Sequence, residues 1–202
     1  MLIPKTTQNI LRVILNDDKI ENIRDLSKKA HVSIGITSKI INQLKKSGYI
    51  LNSKLANKNN LMKFYAFSSS INEIDKIEFV ASERPQYIIK KISQIATKNK
   101  LNYAFTLFSA TEIIKPYIMP NETYLYILKK DKEAWIKILN KNNIFLSQKG
   151  NVILFLVDQE YFYNKKTINN MNTISIPQLY ADLLSFKKDY GEKAAEELIK
   201  NV

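Results

Sequence analysis

Several residue types are scarce in this chain of 202 residues, and each scarcity excludes a class of protein. Cysteine is absent, which excludes a disulfide framework and a cysteine-ligated zinc site. The one histidine, His31, leaves almost no material for a histidine-rich metal site or for a Ser-His triad elsewhere in the chain. Four glycines and five prolines are too few for a loop-dominated fold. The composition therefore favours a packed globular protein with no metal or other cofactor.

Long apolar runs are also lacking. No stretch approaches the roughly 20 apolar residues that span a membrane, and the first residues lack the apolar segment of a signal peptide. We therefore expect a soluble, cytoplasmic protein with no membrane partner. What the chain does have is apolar residues, 45% of the total, and a net charge of +12. An excess of positive charge is typical of proteins that meet phosphate groups.

The positive charge is concentrated in the first third of the chain. Residues 1–70 hold twelve Lys and Arg against four Asp and Glu, whereas residues 71–202 hold nineteen against fifteen. Residues 26–72 contain no acid at all. Compositional drift in an AT-rich genome would enrich lysine everywhere, but it would not remove carboxylates from one segment. A surface that faces nucleic-acid phosphates would remove them, because each carboxylate there repels the ligand.

The first seventy residues are predicted to form a winged helix-turn-helix. Apolar spacing predicts helices over 5–16, 23–30 and 34–47. Ser33 is a suitable N-cap for the third helix, and Gly48 is placed to end it as a C′ glycine.

A strand-like run at 49–52, a polar wing at 53–61 and a second strand at 62–67 are predicted to follow. This is the element order of a winged helix-turn-helix. Residues 23–50 resemble the winged-helix cores of many prokaryotic regulators, including MarR-like ones.

The third helix is predicted to enter the major groove of double-stranded DNA. Ile36, Ile40 and Leu44 step by four and predict its buried stripe, with Ile41 at the edge. The candidate DNA-binding residues are the small and polar side chains of the turn, the opposite helix face and the wing: Ser33, Gly35, Ser38, Lys39, Asn42, Lys45, Lys46, Lys54 and Lys58.

Each candidate has a chemical reason to contact DNA, and each has an alternative interpretation without such a contact. Small residues let the backbone approach the bases, Lys39 and Asn42 can reach base edges or phosphates, and asparagine suits the paired donor and acceptor of adenine. Lys54 and Lys58, in the predicted wing, would follow the neighbouring backbone or minor groove. The alternative is a solvated surface, or a winged helix that binds only protein. His31 lies in the turn and is expected to pack or cap rather than to bind a ligand.

The rest of the chain alternates strands with helices. Helices are predicted at 85–98, 132–142, 176–186 and 191–202, and residues 103–110 are predicted to open another short helix. Strands are predicted at 123–128, 151–157, 161–163 and 173–175. The fold class is therefore α+β (mixed α/β): a winged helix-turn-helix over 1–70 and an α/β domain with a mixed sheet over 71–202.

The second part resembles the C-terminal domain of AbiEi-type antitoxins, the winged-helix members of type IV toxin–antitoxin systems. The resemblance rests on YAFTLFSA at 103–110, Pro120 with TYLYIL at 123–128, Asn151-Val152, SIPQLYADL at 175–183 and GEKAAEEL at 191–198. It implies a DNA-binding repressor of its own operon. It also implies an antitoxin that opposes a nucleotidyltransferase toxin without forming a stable complex with it. A stand-alone MarR-like regulator without a toxin stays open as the alternative. A symmetric operator would be read by a homodimer.

An enzymatic alternative, a nucleotidyltransferase, finds little support in the residues. A nucleotidyltransferase needs a Gly-Ser phosphate turn and paired carboxylates for Mg²⁺. Asp158 and Glu160 would share a face only if their segment were extended. In the phrase around Tyr180, Leu179 and Leu183 are expected on a core face, and Asp182 is expected to be a solvated or capping acid rather than a catalytic one. We therefore predict a protein that is not an enzyme and has no catalytic residue. An RNA-binding or membrane-surface protein would also be basic, but neither needs a winged helix.

Overall fold

The structure is a computed structural model that describes residues 3–17, 19–116, 118–186 and 190–200. The first part contains α1 (Lys5–Asp17), α2 (Ile23–Ala30), α3 (Ile34–Lys46), β1 (Ile50–Leu51), β2 (Lys54–Leu55) and α4 (Lys58–Ser68). The predicted order of three helices and a hairpin is confirmed. The predicted strand at 62–67 is wrong, because those residues belong to α4.

Local hydrogen bonds explain where α3 begins and ends. The Ser33 hydroxyl accepts from the backbone N–H of Ile36 at 3.4 Å, which confirms the predicted N-cap. Gly48 has a φ of 75°, and its N–H donates to the Lys45 carbonyl at 3.1 Å. The N–H of Tyr49 donates to the Leu44 carbonyl at 2.9 Å, which completes a Schellman motif. The predicted role of Gly48 is confirmed as well.

The wing is a minimal hairpin rather than the predicted loop over 53–61. Asn52 and Ser53 both have positive φ, of 48° and 62°, as a two-residue type I′ turn between twisted strands requires. The polar run that follows starts a helix, because the Asn57 side chain accepts from the N–H of Asn60 at 3.1 Å. In α4 the buried residues are Leu61, Met62, Tyr65, Ala66 and Ser68. This spacing is helical. The mixture of aromatic and polar residues at 62–67 resembles the alternation of a strand, which explains the wrong prediction.

The second part is built on a seven-stranded mixed sheet with the order β6-β3-β7-β5-β4-β9-β8. Its strands are β3 (Lys76–Val80), β4 (Tyr103–Phe105), β5 (Thr123–Leu128), β6 (Phe145–Ser147), β7 (Val152–Val157), β8 (Lys166–Ile168) and β9 (Met171–Thr173). Its helices are α5 (Pro85–Lys98), α6 (Leu107–Ile114), α7 (Lys132–Lys141), α8 (Ile176–Ser185) and α9 (Gly191–Ile199). The predicted α+β class with a mixed sheet is confirmed.

Helices cover both faces of this sheet. Tyr103 points to the face that α5 and α7 cover, where its hydroxyl donates to Ser93 at 2.8 Å and its ring meets Trp135. Tyr126 pairs with Ala104, the next residue of β4, so it points to the opposite face. That face meets α8, because Tyr126 lies against Asp182 of α8. Helix α8 also packs against α1, α4 and α9. Helix α8 therefore lies between the sheet and the helix-turn-helix.

Several elements differ from the sequence prediction, and three of the differences lie in the last forty or so residues. The strand predicted at 161–163 is wrong, because a 3₁₀ helix (Gln159–Phe162) stands there. The strand predicted at 173–175 ends at Thr173. The last helix ends at Ile199, and the predicted extension to 202 runs into residues 201–202, which lie outside the described residues. Within the described ranges no helix combines the length and apolar character needed to cross a membrane.

Candidate nucleic-acid interface

Helix α3 presents one face to the protein and the other to solvent. Its buried residues are Thr37, Ile40 and Ile41. The exposed residues Gly35, Lys39, Asn42 and Lys46 follow one another at steps of four, three and four, so they line up along the opposite face. The structure therefore places these four candidate residues together on one accessible helix face.

The other candidates on α3 lie at the margins of this face. Lys45 is exposed, and Ser38 is half-buried. Ser33 is exposed, but its hydroxyl already serves as the N-cap. The predicted buried stripe is wrong at Ile36, which is 44% exposed. A stripe that steps by four drifts by about 40° at each step. The residues of α3 that are buried are Thr37, Ile40 and Ile41 instead.

The two candidate lysines of the wing are separated by the structure. Lys54 is exposed on β2, beside the hairpin turn. Lys58 is the first residue of α4 and is half-buried, so its predicted place in the wing is wrong. His31 ends α2 with a left-handed φ of 51°, and its N–H donates to the Lys28 carbonyl at 3.2 Å. The backbone of His31 thus has the capping role that its position predicted.

The charges of this surface are of one sign. Lys29 is held by two carboxylates, Asp17 at 2.9 Å and Asp25 at 2.8 Å, and these partners raise the pKa of Lys29. Over the part of the chain that the structure describes, no ion pair is formed by Lys39, Lys45, Lys46 or Lys54. Four lysines without an ion pair in the described ranges therefore lie on α3 and the hairpin, whereas Lys29 of α2 is neutralised by its two acids.

A second polar cluster is buried where the helix-turn-helix meets α8. Arg12 of α1 is 1% exposed, and its Nε donates to the Gln178 side chain at 3.0 Å. Its Nη1 donates to Asn9 at 2.9 Å, and its guanidinium lies 4.2 Å from the centre of the Tyr161 ring. The Tyr65 hydroxyl of α4 donates to the same oxygen of Gln178. One glutamine of α8 thus binds two helices of the first part.

The carboxylate of Asp182 completes this buried cluster. It accepts hydrogen bonds from Thr106 and, at 2.8 Å, from the Gln178 amide. Burial raises the pKa of Asp182 to about 6, against the opposing effect of these donors. The expectation of a solvated or capping acid is wrong, because Asp182 is 1% exposed. We define the junction cluster as Asn9, Arg12, Tyr65, Thr106, Tyr161, Gln178 and Asp182.

The sequence contains an indication of the junction cluster that the periodicity of apolar residues alone does not use. All residues from 177 to 183 are buried, so α8 is enclosed on every side and its polar residues must find partners inside the protein. Tyr180 is buried among them, as its structural interpretation requires. In a helix with apolar residues on all faces, a glutamine and an aspartate at i and i+4 indicate a buried hydrogen-bond network rather than a solvent-exposed face.

The two acids that could have suggested an enzyme, Asp158 and Glu160, do not lie on a shared strand face. Asp158 is paired with Lys5, which lowers the pKa of Asp158. Glu160 lies in the 3₁₀ helix, so the two carboxylates do not share a strand face. In the described ranges, no three His, Asp or Glu side chains are grouped so that they could hold a metal ion.

Comparison with protein families identifies the chain. A family model described as "Transcriptional regulator, AbiEi antitoxin, Type IV TA system" matches residues 52–201. The match runs from the turn of the hairpin through α9, and it contains Tyr65, Gln178 and Asp182 of the junction cluster. No curated protein and no solved structure matches the chain. Because the family model covers most of the sequence, this chain belongs to the AbiEi antitoxin family of transcriptional regulators of type IV toxin–antitoxin systems.

Proposed function

We propose that this protein is a sequence-specific regulator that binds double-stranded DNA and represses its own operon. The observation that carries the proposal is the outer face of α3, where exposed lysines stand without a carboxylate between residues 26 and 72. A helix of this kind fits the major groove, and its cations would replace the counterions of the phosphates.

The residues of the interface have separate roles in this proposal. Lys39 and Asn42, at the centre of the exposed face, would reach base edges, and asparagine can pair with adenine. Lys45 and Lys46 lie in the last turn and would contact phosphates. Lys54 of the hairpin would bind the backbone beside the groove. Ser33, Gly35 and Ser38 would let the start of the helix approach the bases, and Lys58 would act from the first turn of α4.

The two parts of the chain are assigned different tasks. Residues 1–70 would bind DNA, and residues 71–202 would carry regulation, self-association or the antitoxin role. A homodimer would read a symmetric operator with half-sites about one helical turn apart. The family description supports the antitoxin role, which would oppose a nucleotidyltransferase toxin without a stable complex. A stand-alone regulator is the alternative. The proposal includes no cofactor, no catalytic residue and no enzymatic activity.

The first test is binding to a labelled duplex from the region upstream of the gene. We expect binding that survives excess competitor DNA, with log affinity falling steeply against log salt concentration. Binding that any competitor removes would contradict a sequence-specific regulator.

The helix assignment is tested by reversing charge on the proposed face. The double change Lys39→Glu and Lys45→Glu should abolish operator binding while the circular dichroism spectrum and the melting temperature stay those of the parent. The matched control is Lys90→Glu with Lys98→Glu, which makes the same change of net charge on exposed positions of α5. If both pairs weaken binding equally, total charge rather than α3 is responsible, and the assignment is wrong.

The antitoxin role needs its own experiment. The chain should restore growth when it is expressed together with a toxic nucleotidyltransferase encoded beside its gene. Rescue should require the second part of the chain, residues 71–202, and should survive the α3 substitutions. A neighbouring gene of another kind, or a failure to rescue, would favour the stand-alone regulator.

A further inference from the structure

An apolar cleft runs along one side of α3, between this helix, the start of α1 and α4. It is lined by Ile36, Ile40 and Leu44 of α3, by Leu11 of α1 and by Phe64 of α4. The cleft has a volume of about 590 Å³, which lies within the range of about 300–1,000 Å³ that is typical of small-molecule sites. The stripe of α3 that steps by four therefore faces a cleft of the size that holds a ligand.

The apolar lining of the cleft is closed at its floor and open at its walls. Leu11 and Ile40 are 0% and 8% exposed, whereas Ile36 and Phe64 are 44% and 41% exposed. Apolar walls that meet water gain the free energy of burial only when another apolar group covers them. The walls of the cleft are thus suited to the apolar part of a ligand.

One rim of the cleft is polar and carries a positive charge. Lys39, Gln43 and Ser47 step by four along α3 and line the cleft beside its apolar walls. Among the described residues of the lining, Lys39 alone is charged, and it forms no ion pair in the described ranges. A carboxylate complements this rim, because Lys39 and the side-chain amide of Gln43 can both donate hydrogen bonds to it.

A second copy of the chain fits the cleft less well than a small molecule does. Thirteen described residues line the cleft, whereas a stable protein interface has about 20–30 residues on each side. In a two-fold dimer the same patch would face itself. Each Lys39 would then approach a surface whose segment, residues 26–72, contains no acid, and the like charges would repel.

We propose that the cleft binds a small apolar carboxylate, and that this ligand releases the protein from its operator. The carboxylate would bind Lys39, and the apolar body would lie against Ile36 and Phe64. The proposed function assigns Lys39 to DNA, and one lysine cannot serve the carboxylate and the DNA at once. The release from DNA therefore rests on the proposed function, whereas the binding of the ligand does not.

The binding test compares two molecules of the same shape that differ in charge. Naphthoate is the probe and naphthamide is its uncharged analogue, and isothermal titration calorimetry with the full chain measures the affinity for each. We expect the parent to bind naphthoate about fivefold more tightly than naphthamide, the value of one partly exposed ion pair. In Lys39→Gln the ratio of the two affinities should fall to about one, because the charge that distinguishes the two molecules has no partner there.

Matched variants test whether the ligand lies in the cleft. Phe64→Ala and Ile36→Ala each remove a side chain of the wall and should weaken naphthoate binding by roughly tenfold. Phe67 and Ile34 are 78% and 51% exposed on the same two helices, outside the described lining of the cleft. Phe67→Ala and Ile34→Ala should therefore leave the affinity unchanged. If either wall variant is poorly folded, Phe64→Leu and Ile36→Val replace them, and their affinities should lie between those of the parent and the tenfold loss.

The regulatory test adds the operator. Fluorescence anisotropy measures the affinity for a labelled operator duplex with and without saturating naphthoate. We expect naphthoate to lower the operator affinity of the parent by at least about fivefold, and the operator to lower the naphthoate affinity by the same factor, because coupling between two ligands is reciprocal. In Phe64→Ala, the same concentration of naphthoate should have a smaller effect on operator binding.

Each outcome decides one part of the proposal. A parent that binds naphthoate no more tightly than naphthamide, or naphthoate binding that both wall variants keep, overturns the carboxylate site and leaves the proposed function standing. A dimer in sedimentation velocity that Phe64→Ala converts to a monomer would place a second copy in the cleft and would also overturn the site. Binding in the cleft that leaves the operator affinity unchanged overturns the release from DNA. Loss of competitor-resistant operator binding by the unliganded parent would end the proposed function, while calorimetry would still decide the site.

Discussion

The outer face of α3 and the junction cluster are both polar, but the protein uses them in opposite ways. On α3, the charged side chains are in water and those of Lys39, Lys45 and Lys46 pair with no acid in the described ranges. In the junction cluster, Arg12 and Asp182 are dehydrated and hydrogen-bonded to the protein. A polar side chain with unused hydrogen-bonding capacity can bind a partner, whereas one that is already hydrogen-bonded inside the protein stabilises the fold.

The energies of the two regions should differ accordingly. An exposed charge contributes between about 0 and 1 kcal/mol to folding, whereas removing one partner of a buried charged network costs roughly 3–5 kcal/mol. Substitutions on α3 should therefore change DNA affinity at constant stability. Substitutions in the junction cluster should change stability first.

The largest expected effect is that of Arg12→Ala. The change leaves Gln178, Asn9 and the buried carboxylate of Asp182 without their cationic neighbour, and we expect a loss of roughly 3–5 kcal/mol in the free energy of unfolding. Urea unfolding followed by circular dichroism measures it. Lys39→Ala, on the exposed face, should stay within about 0.5 kcal/mol of the parent. A loss below about 1 kcal/mol for Arg12→Ala would erase the contrast between the two regions.

The next effect is a pH dependence centred on Asp182. Its pKa of about 6 in the folded state lies above the ordinary value near 4 in the unfolded chain. Between these values the folded state holds a proton that the unfolded state releases, so the free energy of unfolding falls as the pH rises from about 4 to about 6 and stays lower above it.

This dependence is measured by urea unfolding of the parent and of Asp182→Asn at pH 4.5 and pH 7. Asparagine does not titrate, so the difference in stability between the two proteins should shift by about 2 kcal/mol in favour of the variant at pH 7. A difference that is the same at both pH values would mean that Asp182 does not carry a raised pKa.

The same contrast explains what could be predicted from the sequence. Helix α3, its Ser33 cap and its Gly48 terminus follow from local rules, because the residues that decide them are neighbours in the chain. The sheet strands at 123–128 and 152–157 follow from apolar runs. The junction cluster could not be found in this way, because Arg12 and Gln178 are 166 positions apart and only the folded chain brings them together.

Two errors near the interface have local causes. Residues 62–67 contain aromatic side chains that favour strands, but the Asn57 cap and the packing of α4 on α8 decide for a helix. The spacing of the sequence predicts Ile36 in the buried stripe, because Ile36 lies four residues before Ile40. The stripe is instead set by the positions of α1 and α2, which the sequence of α3 alone does not contain. The exposure of Ile36 is visible only in the structure.

The smallest expected effect compares two lysines in the same basic segment. Lys46 is exposed on α3 without an acid partner in the described ranges, and Lys29 is held by Asp17 and Asp25. If Lys46 releases one counterion from the DNA, Lys46→Ala should reduce the slope of log affinity against log salt by about 0.9. Lys29→Ala should leave the slope unchanged, because a lysine already paired with two carboxylates has no phosphate contact to lose. Both variants carry the same net charge. Equal slopes would therefore show that the affinity follows total charge and not the orientation of α3. The distinction between free and neutralised cations on this surface would then be wrong.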